Sequence, residues 1–74
     1  IGRAFQENII KANAAIKSIQ AELKVVEVEI KNTKLLLEKN IVSNTEMEML
    51  MAKKEAILAK MEEEKSSLAL AELN

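Results

Sequence analysis

The chain has 74 residues, with no cysteine, histidine, proline, tryptophan or tyrosine and a single phenylalanine, Phe5. At that length it can form one small domain at most, and below roughly 70–80 residues a single core seldom supplies much net stability; without cysteine, neither a disulfide framework nor a thiolate zinc site can add to it. Eleven basic and twelve acidic residues are interspersed and leave a net charge of −1, which argues against a nucleic-acid surface, since that needs a basic patch.

Helix formers dominate from the start: Ala, Leu, Ile, Glu, Lys and Met are abundant, and the only glycine is Gly2. The N-terminus lacks the apolar core of a signal peptide, and no stretch approaches the roughly 18–20 apolar residues of a membrane span. Because it opens at Ile1 rather than methionine, the chain reads as a fragment of a larger protein. Ile9, Ile16, Leu23, Ile30 and Leu37 recur every seven residues, and so do Phe5, Ala12, Ile19, Val26 and Thr33. Together they form the two columns of a coiled-coil seam. The pattern predicts a first helix over about 4–39.

It breaks at Lys39-Asn40-Ile41-Val42-Ser43-Asn44. Asparagine tolerates the left-handed conformation that ends many helices, so Asn40 reads as the residue just past the C-cap, with Ile41 folded back onto Leu36 in a Schellman ending. A start signal follows. Ser43 as N-cap puts Glu46 at the third helical position, a capping box, with Val42 and Met47 as the hydrophobic staple. A stop and a start this close together predict an αα-hairpin.

The second helix is predicted over about 44–73. Its seam reads Met47, Leu50, Lys54, Ile57, Met61, Glu64, Leu68 and Ala71. Folding at the turn sets Leu37 against Met47, Thr33 against Leu50 and Ile30 against Lys54, and then Val26 against Ile57, Leu23 against Met61 and Ile19 against Glu64. Ile16 then meets Leu68, and Ala12 meets Ala71. The paired numbers sum to 83 or 84 throughout, so the register holds along the whole length. The fold class is therefore all-α, a two-helix antiparallel coiled-coil hairpin about 50 Å long from its rise per residue. Residues 1–74 form that one hairpin.

Two seam positions are polar. Lys54 is expected to snorkel past Ile30 towards Glu27 or Glu29, and Glu64 towards Lys17. Such residues either reach water from a narrow seam or fix its register. Outside the seam, Ala14, Ala21, Val28 and Leu35 repeat every seven residues on the face opposite the core, flanked by Ile10 and Val25; Met49, Met51, Leu58 and Leu70 lie outside it on the second helix. Exposed apolar stripes mark partner contacts, here expected to be neighbouring copies.

Catalytic chemistry is not expected. A nucleophile needs a base beside it, and there is no histidine to serve. Glu62, Glu63 and Glu64 spread around a helix instead of converging, which makes them a solvated face. Glu7/Lys11 and Glu27/Lys31 are i,i+4 pairs that support a helix surface. No glycine-rich phosphate loop is present, and no cofactor or metal is implied.

The stretch Leu35 to Met47 resembles the hairpin tip of periplasmic adaptor proteins, the membrane fusion protein family of the RND-pump and HlyD types. That tip commonly has a small residue, usually glycine, then two residues ending in an aliphatic, then serine, with an acid three positions after it. Here Asn40 takes the glycine place, Val42 the aliphatic, Ser43 the serine and Glu46 the acid. The alanine-rich second helix down to Ala69-Leu70-Ala71-Glu72-Leu73-Asn74 fits the family as well, at the place where its chains return to a lipoyl-like β-domain.

The resemblance implies a periplasmic protein anchored to the inner membrane. Such adaptors link an inner-membrane transporter, held through domains outside this segment, to an outer-membrane channel of the TolC type. It also implies several copies, usually six, standing side by side with their tips against the duct. In many members an arginine, a leucine four residues on and a serine seven further carry the docking. Leu36 and Ser43 match the last two. Asn32 stands in the arginine place and departs from the pattern; nearby Lys31 and Lys34 carry charge without the planar fork of arginine. The transporter class, whether RND, ABC or another, is left open.

Two other readings fit the helices. A generic coiled-coil spacer or oligomerisation module would show the same heptads without needing the tip or the outer stripes. A membrane-surface amphipathic pair would want a basic polar face opposite one strong apolar face, against which the mixed charges argue.

Overall fold

The computed structural model describes residues 2–73, with side chains from residue 6 onward. Two helices account for nearly all of it: α1, Gly2–Glu38, and α2, Asn44–Leu73. They pack against each other along their length as an antiparallel hairpin measuring 58 × 14 × 11 Å. No strand occurs among the described residues. Helix α1 starts two residues before the predicted position and ends one earlier. Such shifts are ordinary at helix ends, and the early stop has a local cause at Asn40.

The heptad seam is the buried seam. From Ile9 to Leu37 and from Met47 to Ala71, every position assigned to it is buried or half-buried; Phe5 lies outside the described side chains. Off the seam, only Ala15, Glu29 and Val42 are even half-buried. The seven-residue period keeps one stripe of each helix facing the other, so burial follows it closely. Full burial is confined to Ala12, Ile19, Val26, Ile57 and Met61, with Val26 at 1 % exposure. Ile19, Val26, Ile57 and Met61 form one cluster, and Leu23 and Ile30 pack against it. The predicted Val26–Ile57 and Leu23–Met61 layers fall inside this cluster, and Ala12 and Ala71 line one groove near the open end. Both placements agree with the predicted register.

Lys54 is half-buried, and its Nζ lies 3.6 Å from Glu27 Oε2. The helix-surface pairing of Glu27 with Lys31 thus gives way to a bridge across the seam. Glu64 is also half-buried, but among the described residues it forms no ion pair with Lys17. Its seam position is near the half-buried Ile16 and Leu68, where a long side chain can reach water at the edge of the seam.

The hairpin is long for its mass. A compact monomer of 8.3 kDa exposes about 4,600 Å², whereas this chain exposes 5822 Å². The excess is the consequence of a two-helix layer: each helix buries one narrow stripe and leaves the rest of its circumference to solvent.

Candidate functional site

The C-terminal end of α1 is closed by hydrogen bonds that the sequence anticipates. Asn40 has φ 58°, the left-handed conformation. The Asn40 N–H donates to the Leu37 carbonyl at 3.0 Å and the Ile41 N–H to the Leu36 carbonyl at 2.9 Å. These are the two bonds of a Schellman motif, with Asn40 as the residue after the cap. The Lys39 N–H reaches the Leu36 carbonyl at 3.2 Å and tightens the last turn. Carbonyls at a helix end that would otherwise face water alone are thereby satisfied.

Helix α2 begins one residue after Ser43, which puts Ser43 at the N-cap and Glu46 in the first turn. The Glu46 N–H donates to the Ser43 backbone carbonyl at 3.2 Å and not to the Ser43 hydroxyl, so the predicted capping box between the two side chains is not formed. The carboxylate of Glu46 stands where the helix dipole favours negative charge. Val42 and Met47, the staple pair, are both half-buried.

Ile41, expected to fold back onto Leu36, is 64 % exposed, and Leu36 is 37 % exposed. Ile41 lies beyond the end of the two-helix seam, with no facing helix to shield it. The tip therefore presents Leu35, Leu36 and Ile41 to solvent. Ile41 belongs to this surface. Its position past a left-handed residue, outside both heptad columns, is the signal that could have marked it.

The six tip residues fall into two groups. A groove on one face of the hairpin is lined by Glu22, Val25, Val26, Lys53 and Ile57. Counting helix turns from it, Asn32 continues the Val25 column, Leu36 the Glu22 column and Glu46 the Lys53 column. Asn32, Leu36 and Glu46 thus share one face and are all exposed. Asn40, Val42 and Ser43 form the rounded end, where Val42 is half-buried and the other two are exposed. The surface offers apolar contact, a carboxylate and small polar groups. Among the described residues no cluster of acidic side chains could hold a metal ion, and no buried polar atom lacks a partner. Among the described residues no helix is long and apolar enough to cross a membrane.

Comparison with known proteins gives no match: no family model, no curated protein and no solved structure aligns with this chain.

Proposed function

We propose that the hairpin is the docking arm of a periplasmic adaptor. It links an inner-membrane transporter to an outer-membrane exit duct of the TolC type, with neighbouring copies standing beside it. The segment works through its surfaces and carries no chemistry of its own. The observation that supports this reading best is the tip. Leu36, Ile41 and Ser43 are exposed on a turn that Asn40 fixes with two backbone bonds. A spacer helix pair has no need of apolar groups at its free end, where they lower solubility. The outer stripes and the 5822 Å² surface support lateral neighbours in the same way.

The decisive experiment is to read the parent reading frame on both sides of this segment. Two halves of a lipoyl-like β-domain, one upstream of Ile1 and one downstream of Asn74, would support the adaptor assignment. Flanks that continue the heptads, or that lead into unrelated domains, would make the segment a coiled-coil spacer.

A further inference from the structure

The turn between the two helices contains no helix breaker. From Glu38 to Asn44 the chain reads Lys39-Asn40-Ile41-Val42-Ser43, and no proline or glycine occurs after Gly2. The reversal rests on Asn40 at φ 58°, a conformation that asparagine eases and few other residues accept. The start of α2 is closed by the Glu46 N–H on the Ser43 carbonyl, with no side-chain bond from either residue to cap it. Ile41 stays 64 % exposed in this arrangement. Exchange of identical elements through such a hinge is a low-cost route to a dimer.

The seam is laid out so that an exchange would lose none of its layers. Paired residues sum to 83 or 84 from Leu37 with Met47 to Ala12 with Ala71. Consider one helix running straight through 39–43 and packed antiparallel on a second copy, with a two-fold axis at residues 41–42. Each residue then faces the one whose number completes the same sum, so every layer of the hairpin is rebuilt between chains. Val26 of one copy meets Ile57 of the other, and Leu23 meets Met61. The phase carries through the turn as well. Leu37 and Met47 are ten residues apart, a heptad plus three, and coiled coils absorb a three-residue insertion by overwinding locally. Asn40 falls on the seam of the straightened helix, facing Ser43 and Asn44 of the second copy. That polar centre pins the register, as buried asparagine does in other coiled coils. Ile41, one position on, lies within a residue of the two-fold axis and on the flank where its own counterpart lies, so the two isoleucines cover each other.

We propose that this chain exchanges helices with a second copy: the turn at 39–43 straightens, and two long helices form a swapped antiparallel dimer in equilibrium with the hairpin. The proposal goes beyond the adaptor reading and does not depend on it. Since both forms make the same seam, the balance between them is set by Asn40, by the polar centre and by chain concentration.

Ala12 and Ala71 line one groove near the open end, and the chain has no cysteine of its own. Ala12→Cys combined with Ala71→Cys therefore reports which chain each helix packs against. The double variant is refolded from urea at low and at high protein concentration, checked for helicity by circular dichroism, oxidised with glutathione disulfide and run on a denaturing, non-reducing gel. Intrachain monomer is expected at low concentration and disulfide-linked dimer at high concentration. Small-angle scattering of the cysteine-free chain refolded at high concentration is expected to give a longest dimension of about 108 Å, the length of residues 2–73 as one helix, against 58 Å for the hairpin. Asn40→Leu disfavours the left-handed turn and fills the seam, and is expected to raise the ratio of dimer to hairpin by about tenfold or more; Asn40→Gly favours the turn over the helix and is expected to lower it. Intrachain monomer alone at every concentration, with Asn40 intact and in Asn40→Leu, overturns the proposal. So does a dimer whose longest dimension stays near 58 Å, since the copies would then meet as intact hairpins. Equal dimerisation of Asn40→Leu and Asn40→Gly overturns it too, because the turn would not be the hinge.

Discussion

The Ile41 N–H bonds to the Leu36 carbonyl at 2.9 Å across a left-handed Asn40, and this contact turns one helix into two. A non-glycine residue in that conformation is strained unless, like asparagine, its short polar side chain eases the conformation locally. Asn40→Gly removes the Cβ penalty and is expected to leave the stability of the hairpin unchanged or slightly raised. Asn40→Ala is expected to lower it by about 1 kcal/mol, and a β-branched Asn40→Val by more. Urea unfolding followed by circular dichroism reads the order Gly, Asn, Ala, Val. If Ala were as stable as Gly, the left-handed turn would not be what closes the hairpin.

The core is one cluster near the middle, so its loss is not shared out. Ile57 is buried between α1 and α2. Ile57→Ala is expected to cost about 2–3 kcal/mol, the lower part of the range for such truncations, since a thin two-helix layer can collapse into the gap. In a chain this small that is a large share of the total, and much of the helical signal at 37 °C should go with it. Ile10→Ala removes a side chain that is 67 % exposed and should change stability by less than about 0.5 kcal/mol. Thermal melts of the two variants side by side check the contrast.

Lys54 occupies a seam position and reaches Glu27 at 3.6 Å, with 33 % of its side chain and 51 % of that of Glu27 exposed. A pair this open to water is worth at most about 1 kcal/mol. Lys54→Met keeps the length, adds apolar contact with the seam and is expected to raise the melting temperature by a few degrees. A double-mutant cycle with Glu27→Gln should show a coupling below about 1 kcal/mol. A markedly larger coupling would mean that the bridge holds the register; shifted cross-links between cysteines placed on the two helices of Lys54→Met would say the same.

The seam and both helices were legible because each depends on a local rule that repeats. Seven-residue spacing decides which stripe is buried, and Asn40 with Ser43 decides where the chain reverses. Lys54 was readable as polar and seam-facing, but two candidate partners on α1 lay within reach, and only the packed structure selects Glu27 over Glu29. The exposure of Ile41 was not legible for a related reason. Its backbone bond follows from the turn type alone, whereas its exposure depends on whether a second helix extends far enough to cover it, which no local pattern states. The predicted docking residues stood out through motif chemistry, but the shared face of Asn32, Leu36 and Glu46 emerges only once α1 and α2 are set in register.

Ser43 holds two roles that substitution can separate. As N-cap it precedes Asn44 and accepts the Glu46 N–H at its carbonyl; as an exposed tip residue it is available to a duct. Because the Glu46 N–H goes to the Ser43 carbonyl, which alanine keeps, Ser43→Ala is expected to cost less than about 0.5 kcal/mol. Ser43→Asp retains capping and puts a negative charge at the helix N-terminus, where the dipole favours it, so stability should be kept. If Ser43 docks, the added charge and altered shape of Ser43→Asp should abolish binding to a TolC-type duct while the melt stays unchanged. Leu36→Ala, on the adjoining exposed face, should weaken the same binding with only a small loss of stability, since Leu36 is 37 % exposed and its carbonyl, not its side chain, makes the turn's bonds. Binding of the parent protein to the duct in detergent, measured beside each variant's melt, separates the cases. Full binding by Ser43→Asp would leave the serine as a cap alone and move the docking surface to Leu35, Leu36 and Ile41.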